Sequence, residues 1–141
     1  MKKFLFISFD FGEKNIGVAI GQNITNTATP ITNLRIKNKI DLFKNIEKII
    51  KDWNPKVAIV GLPLNMNGTE QKIGEKSKRF SESLRKEFNI TTIMQDERLT
   101  SIEAKERIFL RKGYRYLTCE RINSLSASII LENWFNKIQK I

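Results

Sequence analysis

Apolar residues along this chain fall into short runs separated by polar turns, and their spacing switches between strand-like and helix-like. Residues 3 to 9 form a nearly unbroken apolar run, the pattern of a strand covered on both faces. Asn15 to Ile20 and Ala28 to Leu34 read as two shorter strands, joined by Gly21-Gln22-Asn23 and further turn formers, so a three-stranded meander is predicted. Ile40, Phe43, Ile46, Ile49, Ile50 and Trp53 then recur at helical spacing, and that helix should stop before Asn54-Pro55, because a residue preceding proline disfavours the helical conformation. Val57 to Leu62 returns to strand. Ile73, Ser77, Phe80, Leu84 and Phe88 mark a second helix, and Ile90 to Met94 a fifth strand. Thr100-Ser101-Ile102-Glu103 fits a capping box and Lys112-Gly113 a helix stop, which predicts a helix over 101–112. A last helix is expected from Glu120 to Ile138. The order βββαβαβαα specifies an α/β fold: a mixed five-stranded sheet with helices on both faces.

Composition narrows the picture. The 141 residues contain no repeat, low-complexity tract or Pro/Gly-rich linker, so a single domain spanning 1–141 is expected. The longest apolar runs, Phe4 to Phe9 and Val57 to Leu62, are far shorter than the roughly 20 residues of a membrane helix. The start, Met1-Lys2-Lys3 before Phe4-Leu5-Phe6-Ile7, reads as a strand and not a secretion signal, since Asp10 arrives early and no small-residue cleavage site follows. A cytoplasmic location is the expectation. With one cysteine, Cys119, and no histidine, an intramolecular disulfide and a Cys/His metal cluster are both excluded, and any metal must rest on oxygen. The net charge of +10 favours a polyanionic partner. Part of it follows from a general richness in Lys, Ile and Asn, but six of the eight arginines lie between positions 79 and 115, where a binding face is expected.

Carboxylates at strand ends carry the candidate chemistry. Asp10 closes the first strand and is followed by Phe11-Gly12. Asp-Phe-Gly also occurs in protein kinases, but behind a glycine-rich loop and a strand lysine, neither of which precedes Asp10. The second centre is Asp96-Glu97-Arg98, directly after the fifth strand. Adjacent residues leaving a strand point to opposite sides, so one of the pair faces Asp10, and Glu97 is the choice. The plainer reading is that both acids favour the N-terminus of the following helix; Arg98 tips the balance, because a guanidinium beside carboxylates suits an incoming phosphate. Lys14 and Asn15 after Asp10, Asn67 in the loop 63–71, and Arg111 and Arg115 interleaved with Tyr114 and Tyr116 are candidate nucleic-acid contacts, each also readable as an ordinary loop residue.

These blocks resemble a known family. Asp10-Phe11-Gly12 with Ile16-Gly17-Val18-Ala19, Val60-Gly61-Leu62-Pro63 with Asn67-Gly68-Thr69-Glu70, and Asp96-Glu97-Arg98-Leu99-Thr100-Ser101 look like the three signature blocks of YqgF/RuvX proteins, in the same order and spacing. Gly113-Tyr114-Arg115 and the stretch from Ser126-Ala127 to Leu131-Glu132 extend the resemblance over essentially the whole chain. It implies an RNase H-like fold similar to RuvC resolvases, an endonuclease maturing the 5′ end of pre-16S rRNA, and the pre-ribosomal 30S particle as a partner. Cleavage of four-way DNA at Holliday junctions is the alternative within the same chemistry. The resemblance also implies an oxygen-ligand site for Mg²⁺ or Mn²⁺, with Asp10 and Glu97 as ligands. The family's third acid corresponds to Asn123, a departure that lowers the site's charge; Glu120, three residues earlier on the same helix, is a candidate substitute. A catalytically weakened assembly factor that binds rRNA without cutting it is the reading Asn123 opens.

Overall fold

The computed structural model describes residues 2–62, 72–96, 106 and 119–139. The chain opens with β1 (Leu5–Phe11), β2 (Asn15–Gln22) and β3 (Thr27–Arg35), continues through α1 (Lys39–Trp53), β4 (Val57–Leu62), α2 (Lys72–Phe88) and β5 (Thr91–Asp96), and ends in α3 (Cys119–Gln139). The expected helix over 101–112 lies outside the described residues, apart from Glu106.

The three first strands form the expected antiparallel meander, and β4 and β5 add in parallel to β1, giving the sheet order β3-β2-β1-β4-β5. The two crossovers require helices, and α1 and α2 share one face of the sheet while α3 covers the other. Each boundary has a local cause. Asn38 Oδ1 accepts from the Asp41 amide at 2.8 Å and starts α1. Asn54, at φ 48°, takes the left-handed conformation and donates its amide to the Ile50 carbonyl, closing α1 ahead of Pro55.

Three expectations shift. β1 runs to Phe11, because its pairing with β2 continues to Phe11↔Ile16, so Asp10 sits within a paired strand and not at its end. β5 likewise runs on to Asp96, which pairs with Leu62. In α1 the buried positions are Leu42 and Ile46, whereas Ile40 and Trp53 are 70% and 43% exposed. Both sit at the helix's ends, beyond the sheet surface that the middle turns cover.

Alternation divides the core in two. Ile7, Phe9, Ile16, Val18, Ile20, Ala58 and Val60 face α1 and α2. There Phe80 of α2 is the hub, with ring centroids 5.4 Å from Phe9, 5.2 Å from Phe11 and 6.2 Å from Phe43. On the other face Ile59, Ile93 and Phe6 pack against Ile130, Leu131 and Phe135, with Phe6 and Phe135 edge to face at 5.2 Å.

Candidate metal and nucleic-acid site

The face under α3 changes character along the strands. At one end it is apolar, around Phe6, Val57 and Phe135. Toward the C-terminal end of β1 it becomes polar. Ser8 donates to the Ala127 carbonyl at 2.6 Å, anchoring the buried small-residue turn Ser126-Ala127-Ser128 on the sheet. Two residues further along β1, on the same face, lies the half-buried Asp10.

Register assembles a row across the sheet at this level. Asp10 pairs with Gly17, and Gly17 pairs with Asn33. On the other side, Phe9 pairs with Val60, so the next step sets Gly61 beside Asp10, and Gly61 pairs with Gln95. The row therefore reads Asn33, Gly17, Asp10, Gly61, Gln95. Directly cross-strand residues present side chains on one face, and the two glycines leave space on either side of the carboxylate.

α3 enters that space. A Cβ at Gly17 would fall on the carbonyl group of Asn123 and 2.9 Å from the Ser124 amide nitrogen, so the helix backbone rests where any other residue would project. Asn123 thereby stands between the two neighbours of Gly17, with Asp10 on one side and Asn33 on the other. Its Nδ2 donates to Asn33 Oδ1 at 3.1 Å, and Asn33 Nδ2 donates to Asn15 Oδ1 at 3.0 Å. Asn15 is held in the sheet by this bond, while Lys14, one residue earlier on the β1–β2 turn, is exposed and offers its carbonyl to the Ile36 amide at 2.8 Å.

Of the expected site residues, the fold brings together Asp10, Asn15 and Asn123. Glu97, Arg98, Asn67, Arg111 and Arg115 lie outside the described residues, and for Glu120 only the backbone is described. Asp96 pairs with Leu62 and falls on the face opposite Asp10, since the preceding Gln95 shares the face of Ile93 and α3. Two polar groups on the α3 side were not anticipated. Asn33 is one, invisible in a sequence because only the β2–β3 register sets it opposite Gly17. Gln95 is the other: it is 7% exposed and its Oε1 is a buried acceptor that meets no hydrogen-bond donor among the described residues.

The donor set suits a hard cation. Asp10 offers a carboxylate, Asn123 an amide carbonyl on the branch Asn33 does not engage, and Gln95 a buried carbonyl oxygen in the same row that meets no donor among the described residues. Among the described residues no three His, Cys, Asp or Glu side chains cluster. No described helix is long and apolar enough to cross a membrane.

Comparison with known proteins identifies the family. The chain is 48% identical over 131 residues, 93% of its length and 96% of the relative's, to a Buchnera aphidicola protein described as “Putative pre-16S rRNA nuclease”. A Haemophilus ducreyi protein of the same description is 46% identical over 130 residues, covering 92% of this chain and 94% of the relative. Among solved structures, Thermus thermophilus RuvC in complex with a Holliday junction substrate superposes with a TM-score of 0.60 at 10% identity, covering 97% of this chain and 96% of that one. Fowlpox virus resolvase bound to Holliday junction DNA gives 0.55 at 17% identity, covering 95% and 98%. At such identities the likeness establishes the shared RNase H-like fold alone. The family model described as RuvX, Holliday junction resolvase, matches residues 5–137, and with it the chain is placed as a member of the RuvX family.

Proposed function

We propose that the protein is a divalent-metal-dependent endonuclease acting on structured RNA, with the 5′ end of pre-16S rRNA as substrate. The observation that carries this reading is the seat of Asp10: a carboxylate on the α3 face, flanked by two glycines, with the backbone of Asn123 seated over the neighbouring Gly17. The 48% identity to a protein described as “Putative pre-16S rRNA nuclease” supports the substrate class.

Mg²⁺ or Mn²⁺ bound here would activate water and stabilise charge at the scissile phosphate. Asp10 and the carbonyl of Asn123 would hold it, with Gln95 Oε1 in the same row two strands from Asp10. Glu97 is proposed as the second carboxylate, because Asp96 falls on the wrong face. Glu120 is the reserve donor from the first turn of α3. Lys14 on the β1–β2 turn and Asn15 at the start of β2 would meet the backbone of the nucleic acid, together with Asn67, Arg98, Arg111 and Arg115.

Asn123 itself favours a second reading, a factor that binds precursor rRNA within the 30S particle and cuts it weakly. An amide oxygen carries no net charge to hold a divalent ion against its hydration shell. One experiment separates the readings: cleavage of a pre-16S 5′-leader RNA and of a four-way DNA junction in Mn²⁺, by the unaltered protein, Asp10→Asn, Glu97→Gln and Asn123→Asp. RNA cleavage lost in the first two variants establishes the nuclease. A gain of roughly 100-fold or more in Asn123→Asp, about 3 kcal/mol in the transition state, with unchanged RNA affinity, places the natural protein with the binding factors. Cutting of the junction alone makes branched DNA the substrate.

A further inference from the structure

The hydrogen-bond chain from Asn123 through Asn33 to Asn15 has a direction. Each amide donates its Nδ2 to the Oδ1 of the next, at 3.1 Å and then 3.0 Å. A primary amide has one donor branch and one acceptor branch. Once Nδ2 of Asn123 is committed to Asn33, its Oδ1 is the branch turned away from β3. Asp10 lies on that side, across Gly17 from Asn33. If the chain ran the other way, Asn123 would present an NH₂ group there, and two N–H dipoles would repel a cation.

We infer that Asn33 is a positioning residue: it selects the orientation in which Asn123 offers its carbonyl oxygen to a divalent cation beside Asp10, and Asn15 in turn holds Asn33 in the required sense. The inference rests on the metal-site reading above. A carboxylate at 123 would not need this device, since both its oxygens are acceptors. An asparagine does, because rotation about its last torsion exchanges an attractive group for a repulsive one. A bound cation would also polarise the Asn123 amide and strengthen its donation to Asn33, so orientation and binding reinforce each other. Partners that orient metal ligands are typically worth 10–100-fold in metal affinity.

The test measures Mn²⁺ affinity by electron paramagnetic resonance, without nucleic acid, alongside thermal stability. Asn33→Ala is expected to weaken Mn²⁺ binding about tenfold or more in the natural background. Built on Asn123→Asp, the same change should cost about twofold or less. Equal losses in both backgrounds would overturn the inference, leaving Asn33 as a packing residue. Should Asn33→Ala fail to fold, Asn33→Asp serves: its carboxylate still accepts from Asn123 Nδ2, so affinity should be kept, and a tenfold loss would overturn the assignment. Asp10→Asn separates the levels. If it abolishes Mn²⁺ binding while Asn33→Ala leaves it intact, the positioning role alone fails; if Asp10→Asn has no effect, the metal site fails and the positioning role with it.

Discussion

Gly17 shows how little at the residue scale separates a working geometry from a broken one. Its missing side chain admits the backbone of Asn123 to the sheet, and the first atom that any other residue would add falls on that backbone. A flexible side chain yields to such a contact; a helix backbone docked on a sheet yields only by moving. Gly17→Ala is therefore expected to cost about 1–3 kcal/mol in stability and to displace Asn123 from Asp10, lowering Mn²⁺ affinity with it. Calorimetry and metal titration read the two effects, and an alanine variant with unaltered Mn²⁺ binding would show that the contact with Gly17 does not set the distance between the two proposed ligands. Asp96 makes the complementary point. It lies one residue past Gln95, yet alternation sends it to the face covered by α2, away from Asp10. Proximity in sequence gives a charged residue no claim on a site when the sheet divides neighbours between two faces.

At the scale of elements, the two faces perform different tasks. The α1/α2 side is an aromatic and aliphatic core in which Phe80 touches both β1 and α1. Replacing it by alanine should cost about 3–5 kcal/mol and lower the melting temperature by on the order of 10 °C, a loss seen directly in thermal unfolding; a shift of one or two degrees would mean that Phe80 is not the hub. The α3 side is more polar: Ser126, Ala127 and Ser128 are buried there at 1% exposure or less, and the buried Ser8 donates its hydroxyl to the helix backbone. Small residues permit the close approach that larger ones would forbid. The apolar end of the same face, around Phe6 and Phe135, anchors the helix so that its first turns can carry polar groups over Asp10.

At the scale of the whole molecule, charge is the property that matters. A net +10 on 141 residues gives long-range attraction to any phosphate polymer. Binding to single-stranded RNA should weaken with salt at a logarithmic slope of about 0.7 per phosphate neutralised, so three contacts imply a loss of roughly tenfold or more between about 50 and 200 mM. Fluorescence anisotropy with a labelled leader RNA measures this, and a flat dependence would mean that the basic surplus is not used for binding. The proposed metal site answers to the opposite sign of charge, which the row beneath α3 supplies through a single carboxylate, Asp10.

Much of this was legible beforehand because the physics involved is local. Apolar periodicity located all seven described elements of the sheet and its crossovers, Pro55 ended α1, and the absence of histidine confined any metal to oxygen. Local patterns also misled locally: Ile40 and Trp53 fit the helical repeat of α1 but overhang the sheet. Asp10 and Asn123 were recognisable as residues, 113 positions apart in the chain, but their meeting at Gly17 was not. Nor were Asn33 and Gln95, which carry no motif and matter only through strand register. A sequence determines which side chains exist and which segments will be strands or helices, since those depend on neighbours a few residues away. Only the tertiary structure decides which of them share a face and a row, because that depends on pairings between strands whose separation in the chain says nothing of their order in the sheet.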